Sequence, residues 1–181
     1  MALGSTVYIF VIDLADSDRQ VYESLELRVA RHPSETAEYL VTRVLAYCLE
    51  YAEGITFSKG LSDVESPALA IRDLDGTLRV WIDVGAPDAA RLHGASKAAD
   101  RVVVFTHRDP AQWLRSLKAA GIRRAEALEL YAVDRTVIST LAERLERRVH
   151  WAITVAEREL FISLGDDMLT TAVTRLSLAE R

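Results

Sequence analysis

The stretch Leu78-Arg79-Val80-Trp81-Ile82-Asp83-Val84-Gly85 decides how the chain folds. Val80 and Ile82 alternate with Trp81 and Asp83, which is the period of a strand. Asp83 therefore shares a sheet face with Trp81. A carboxylate near the end of a strand that otherwise reads as interior is costly unless it is paired or holds a metal. The flanking segments place this strand in the middle of a sheet. Before it, Ala68 to Arg72 reads as a second strand, joined to the first by the turn signal Asp73-Leu74-Asp75-Gly76. After it, Pro87-Asp88 starts a helix that ends near Ala99. The run Val102 to Thr106 (VVVFT) then reads as a central strand covered on both faces.

The rest follows the same logic. Val7 to Leu14 is a buried strand, and Tyr22 to Arg31 alternates as its half-buried hairpin partner. His32-Pro33-Ser34-Glu35 opens a helix running to about Ala52, with proline, serine and an acid suited to a first turn. Val41, Val44, Leu45 and Cys48 form its apolar stripe. Gly54 stops it, Ile55 to Ser58 is a short strand, and Lys59 to Ser66 is a loop. Ala111 to Ala120 is a helix closed by Gly121, Leu128 to Val133 a strand, and Arg135 to Arg144 a short amphipathic helix. Arg148 to Val155 and Glu159 to Leu164 form a hairpin, and Leu169 to Leu178 a last strand. The order predicts a single α/β (α+β) domain over residues 1–181, a mixed β-sheet flanked by helices.

With 181 residues, half of them hydrophobic and 27% charged, the chain has the material of one ordinary globular domain. No apolar run approaches the ~20 residues of a membrane helix. The first residues lack a basic region of the secretory kind. Both point to a cytoplasmic protein with no membrane partner. The single Cys48 excludes an internal disulfide and reads as a small core residue. A net charge of −5 argues against a general nucleic-acid-binding module. It argues less against a metal-dependent nuclease, which needs local acids and only a local basic patch. Arg123-Arg124 and Arg144, Arg147 and Arg148 are candidates for that patch, or a solvated face. The four dispersed histidines, His32, His93, His107 and His150, offer no zinc spacing. His107 follows the buried strand ending in Thr106, where it reads as a loop histidine or as one that faces a site. No phosphate loop and no Gly-x-Ser-x-Gly elbow occur.

The polar residues left over carry the functional reading. At about 100° per residue, Leu45 and Leu49 lie within roughly 20° of Glu38, which puts Glu38 on the rim of the apolar stripe. Glu35 points further away. Glu65 precedes Pro67, which fixes how the loop enters the sheet. Lys97 sits among small residues that let a long side chain reach back towards the sheet edge. Ser34, one turn before Glu38, is placed to bond that carboxylate or to cap the helix. Three acids and a lysine at one sheet edge are the parts needed to bind a hard cation and cut a phosphodiester. Each residue alone also reads as an ordinary solvated side chain.

The whole chain resembles the YaeQ family. The resemblance rests on Ala30-Arg31-His32-Pro33-Ser34-Glu35-Thr36, on Phe57-Ser58-Lys59-Gly60-Leu61, and on Trp81-Ile82-Asp83-Val84-Gly85 with Pro87-Asp88 after it. That family looks like a variant of the PD-(D/E)XK, restriction endonuclease-like nuclease fold. The resemblance implies a Mg²⁺ site in which metal and lysine activate water. Glu38 would match the helix acid, Asp83 the acid of (D/E)-x-Lys, and Pro67 the proline of the PD step. Ala68 stands where the second acid would be and Gly85 where the lysine would be. Lys97 is the candidate to replace the lysine, and Glu65 the acid. The expected catalytic set is therefore Glu38, Asp83, Lys97 and Ser34, with Asp83, Glu38 and Glu65 around the metal. The alternative is a catalytically inactive nuclease-fold protein acting as a regulatory or nucleic-acid-associated binding protein.

Overall fold

The computed structural model describes residues 4–58 and 65–179. The segment Lys59-Gly60-Leu61 used in the family resemblance, and the predicted loop as far as residue 64, lie outside the described residues. The chain opens with the hairpin β1 (Thr6–Asp16) and β2 (Val21–Arg31), followed by α1 (Ala37–Leu49), β3 (Ile55–Phe57), β4 (Leu69–Arg72), β5 (Leu78–Val84) and α2 (Ala89–Ala98). It continues through β6 (Arg101–Thr106), α3 (Pro110–Ala120), β7 (Leu128–Ala132), α4 (Arg135–Glu143), β8 (Arg148–Ala156), β9 (Glu159–Leu164), β10 (Asp167–Ala172) and β11 (Thr174–Leu176).

The strands form two sheets, where the sequence pattern suggested one. A five-stranded sheet has the order β10-β9-β8-β1-β2, and a six-stranded sheet the order β11-β7-β6-β5-β4-β3. Alternation shows that a segment is a strand and which side is apolar. It does not show which strand lies beside it, so the parallel pairing of β8 with β1 was hidden. The expected last strand, Leu169 to Leu178, breaks at Val173. Its first part closes the five-stranded sheet against β9, and its second part pairs with β7 in the other.

Helices α1 and α4 lie between the two sheets. One apolar cluster contains Phe10, Ile12, Val29, Trp151 and Ile153 from the first sheet, Leu40, Val41, Val44 and Leu45 from α1, Ile138 and Leu141 from α4, and Leu69, Ile82, Val103 and Phe105 from the second. Helices α2 and α3 cover the other face of the second sheet, where Leu92, Ala95, Trp113 and Leu117 meet Trp81, Val102, Val104, Leu128 and Leu130. Alternate residues of β6 serve opposite clusters, which is why its sequence is apolar without interruption. Cys48 is fully buried in the first cluster, and burial pushes its thiol up to about 12. Among the described residues no helix is long and apolar enough to cross a membrane.

Helix α1 starts later than the sequence suggested. Thr36, not Ser34, is its N-cap and accepts from the Tyr39 N–H at 3.1 Å. Residues 32–35 form a turn before it. Within that turn Glu35, expected to point away from the apolar stripe, is 2% exposed. Its Oε1 accepts from Arg43 Nε and Nη2 at 2.8 and 2.6 Å, and Arg43 Nη2 also donates to the Ala30 carbonyl at 2.9 Å. The Arg31 guanidinium donates to the Glu35 carbonyl. This ion pair, buried beneath the end of β2, fixes where α1 enters the space between the sheets. At the other end, Arg19 donates to the Cys48 and Tyr51 carbonyls and ties the turn after β1 to the end of α1.

Removing one partner of a buried ion pair leaves a charge without compensation, whereas replacing both with apolar groups is far less harmful. Glu35→Gln or Arg43→Met alone should lower the unfolding free energy by about 3–5 kcal/mol. The double variant Glu35→Leu/Arg43→Met should recover most of it. Urea denaturation midpoints decide this, and equal losses in single and double variants would contradict the assigned role.

Candidate functional site

Strands β5, β6 and β7 run parallel, and their carboxyl ends meet the start of α1. Such an edge is where open α/β sheets place their ligands, because loops and helix N-termini converge there. It carries Asp83, Val84 and Gly85 from β5, Thr106, His107 and Arg108 from β6, and Val133, Asp134 and Arg135 from β7.

Asp83 is 2% exposed. Its carboxylate is held from two sides. Arg91, in the first turn of α2, donates Nε to Oδ2 at 2.7 Å and Nη2 to Oδ1 at 3.0 Å, a bidentate pair. The Ala68 N–H donates to Oδ1 at 3.1 Å. Arg91 Nη2 also donates to the Ser66 carbonyl at 2.8 Å, and the guanidinium lies 5.3 Å from the centre of the Trp81 ring. The carboxylate holds the guanidinium proton more tightly than usual, so Arg91 stays charged. The sequence placed Ala68 where a second metal-binding acid would stand, and its backbone N–H now serves Asp83. Asp88 caps α2, accepting from the Arg91 N–H at 2.8 Å, and so sets the phase that turns Arg91 towards the sheet.

The other predicted site residues lie on several elements around this edge. Glu38 is half-buried in the first turn of α1, close enough to His107 for its charge to act on the imidazole. Glu65 is exposed and lines a cavity of about 510 Å³ together with Trp81, Asp88, Ala90, Arg91, Gly94 and Ala98. Ser34 is exposed, with its hydroxyl 2.6 Å from His32 Nδ1. Lys97 is exposed in the last turn of α2, six residues beyond Arg91 and so about 9 Å further along the helix. Among the described residues, no three His, Cys, Asp or Glu side chains come together as a metal-ligand set. The residues present do not fit the hard cation that the nuclease resemblance implies. A guanidinium already neutralises the buried Asp83 carboxylate.

The sequence reading did not single out Arg91, and left His107 between a loop residue and one that faces a site. Arg91 was legible in principle: the helix phase set by Leu92 and Ala95 puts it on the sheet-facing side, one turn after the cap. His107 does lie in the loop after β6, but it is 8% exposed, and its Nδ1 is buried without a hydrogen-bond partner among the described residues. The Trp81 Nε1 shares that condition. Burial lowers the His107 pKa below its ordinary value, the Arg108 and Arg135 charges push the same way, and Glu38 opposes them. Tyr39, beside Gly85, has its phenol raised by burial and then by Asp83. Gly85 has φ +93°, which strains any other residue, and a side-chain carbon there would touch the Tyr39 ring at 3.7 Å. A lysine at this position would therefore meet both a strained backbone and Tyr39.

The edge thus carries one locked ion pair, one neutral buried imidazole, and two arginines, Arg108 and Arg135, on the loops around it. The neighbouring acids Asp109 and Asp134 are drawn into capping the first N–H groups of α3 and α4. Of the basic patches suggested by sequence, Arg144 and Arg148 are ion-paired to Asp167 and Glu26, and Arg147 stacks on Tyr8.

A family model described as YaeQ protein matches residues 1–173. The uncharacterised YaeQ protein of Salmonella typhi is 30% identical over 165 residues, covering 90% of this chain and 91% of its own. That of Escherichia coli K12 is 30% identical over 166 residues with the same coverage. The crystal structure of a YaeQ protein from Pseudomonas syringae superposes with a TM-score of 0.90 at 35% identity, over 96% of both chains. One from Xanthomonas axonopodis pv. citri gives 0.88 at 27% identity, over 96% of this chain and 98% of that one.

A depressed histidine pKa has a definite sign. Below about 6.5 the unfolded chain takes up a proton that folded His107 resists, so stability present above that pH is lost as pH falls. His107→Phe should flatten the pH dependence of the melting temperature between pH 7 and 5. An unchanged slope in the variant would show that His107 titrates as it does in the unfolded chain.

Proposed function

We propose, on the premise that this chain belongs to the YaeQ family, that it is a nuclease-fold protein that binds a nucleic-acid phosphate backbone without cutting it. The observation that carries this reading is the Asp83–Arg91 pair. In a restriction endonuclease-like site, the strand acid holds Mg²⁺, and the metal lowers the pKa of its water and polarises the phosphate. Here the acid at that position holds a guanidinium instead. An arginine neutralises a carboxylate and can attract phosphate, but it does not generate hydroxide at neutral pH. Mg²⁺ demands near-octahedral oxygen ligation. It would have to displace a bidentate hydrogen-bonded cation from a buried carboxylate and find its other protein ligands elsewhere.

Binding without hydrolysis remains compatible with the edge. Arg108 and Arg135 flank the buried His107, and the N-termini of α3 and α4 open at the same rim. Charges on loops at the carboxyl ends of parallel strands suit an extended polyanion better than a small molecule. The net charge of −5 makes that attraction local and predicts modest, salt-sensitive affinity. The phosphodiester-hydrolysing alternative assigns catalysis to Glu38, Asp83, Lys97 and Ser34, with Glu65 as a further Mg²⁺ ligand. It draws support from the half-buried Glu38 beside His107 and from Glu65 in the cavity that Arg91 lines.

Fluorescence anisotropy with labelled single-stranded DNA and RNA, across a salt series, tests the proposal. Wild type should bind, and products should be absent on a denaturing gel with Mg²⁺ or Mn²⁺ present. Arg108→Ala and Arg135→Ala should each reduce the slope of log affinity against log salt by about 0.7. Cleavage that disappears in Asp83→Ala would restore the nuclease reading. No binding at low salt would remove the reading proposed here.

A further inference from the structure

We propose that β2 is the interface of a twofold-symmetric homodimer, joining two five-stranded sheets edge to edge. β2 is the outermost strand of its sheet. It runs for 11 residues and pairs with β1 in unbroken register, with no bulge, no proline and no further strand on its outer side among the described residues; only at its end, where the Ala30 carbonyl accepts from Arg43, does another element reach that side. A long flat edge of this kind is a template for pairing unless something blunts it.

The polarity of the edge is set by one hydrogen bond. The Ile9 N–H donates to the Arg147 carbonyl on the β8 side, so Tyr8 and Phe10 turn to β2 and bond their partners Val29 and Leu27, and the groups of Ala30 point away from β1. In an antiparallel ladder the outward groups recur every second residue. Tyr22, Ser24, Glu26, Arg28 and Ala30 therefore turn their N–H and C=O groups to the open side. Leu25, Leu27 and Val29 bond to β1 and point their side chains to the core.

The charges on this edge are sorted along the strand. Glu23 and Glu26 lie in its first half, Arg28 and Arg31 in its second. Two copies laid antiparallel with Leu27 on the twofold axis bring Glu26 opposite the partner's Arg28 and Glu23 opposite the partner's Arg31. Leu25 then faces the partner's Val29 on the core side, and Ser24 faces the partner's Ala30. Sliding by two residues in one direction sets Glu26 against Glu26, and in the other Arg28 against Arg28. Sliding by one residue offers inward-pointing groups to the ladder and turns apolar residues to water. Parallel pairing in register sets like against like throughout. Only one register is both hydrogen-bonded and charge-matched at the centre, and it is self-complementary, as an isologous contact requires.

The outer face adds a second observation. Val7 is 48% and Tyr22 60% exposed, two of the large hydrophobics left in water on the described surface. Val7 pairs with Ala30 across the hairpin. In the proposed register the partner's Tyr22 lies diagonally beside Ala30, where its ring covers Ala30 and reaches towards Val7. The existing contacts of Glu26 with Arg28 and Arg148, at 3.7 and 3.5 Å between exposed side chains, are loose enough to exchange.

Analytical ultracentrifugation on the full chain tests this. Wild type should sediment as a concentration-dependent dimer. The single variants Glu26→Arg and Arg28→Glu should each be monomeric over the same range, with circular dichroism unchanged. An equal mixture of the two should form a heterodimer, because each restores the other's opposite charges. A monomeric wild type, single variants that stay dimeric, or a mixture that stays monomeric would each overturn the assignment.

Discussion

The hydrogen-bonded pair between Asp83 and Arg91 is the constraint from which the rest of the functional edge follows. An ionised carboxylate cannot stay in a site that is 2% exposed without a partner. The partner chosen determines what the edge can do. Arg91 fills that role with both ends of its fork. In doing so it ties three elements together: β5 through the carboxylate, the segment before β4 through the Ser66 carbonyl, and α2 through its own backbone. The position of α2 over Trp81 and the entry of the chain into β4 are both set by this contact.

A second buried pair, Glu35 with Arg43, sets the other half of the edge. It places the first turn of α1, with Glu38 and Tyr39, against the carboxyl ends of β5 and β6. The two pairs differ in consequence. Glu35 and Arg43 are both buried in the interior and serve packing, whereas Arg91 is partly exposed at the rim of a cavity. Tyr39 lies between them and its phenol responds to the charges of both. The edge is thus assembled from compensated charges. Around it stand His107, kept neutral by burial, and the charges of Glu38, Arg108 and Arg135 that act on that imidazole.

Much of this was legible in the residues. The strand from Leu78 to Val84, the helix after Pro87-Asp88 and the doubly covered strand at Val102 have the predicted character and nearly the predicted ends. The physical reason is that local periodicity and capping are short-range properties. The split into two sheets was not legible. It depends on β8 lying beside β1 across more than a hundred residues, and nothing local encodes that. For the site, the alternation around Trp81 did identify Asp83 as a buried acid in need of a partner. The partner's identity was the harder question. Lys97 and Arg91 occupy the same helix, and only the phase relative to Leu92 and Ala95 separates the residue that faces the sheet from one in solvent. Glu35 was misjudged because a helical wheel was extended through a turn that is not helical.

On the proposed reading, the guanidinium of Arg91 occupies the place a divalent cation would need. Isothermal titration of Mg²⁺ and Mn²⁺ into the wild-type protein and Asp83→Ala tests it most directly. Neither protein should give saturable heat. Stoichiometric binding to the wild type that vanishes in Asp83→Ala would contradict it, since the carboxylate would then be exchanging Arg91 for a metal ion.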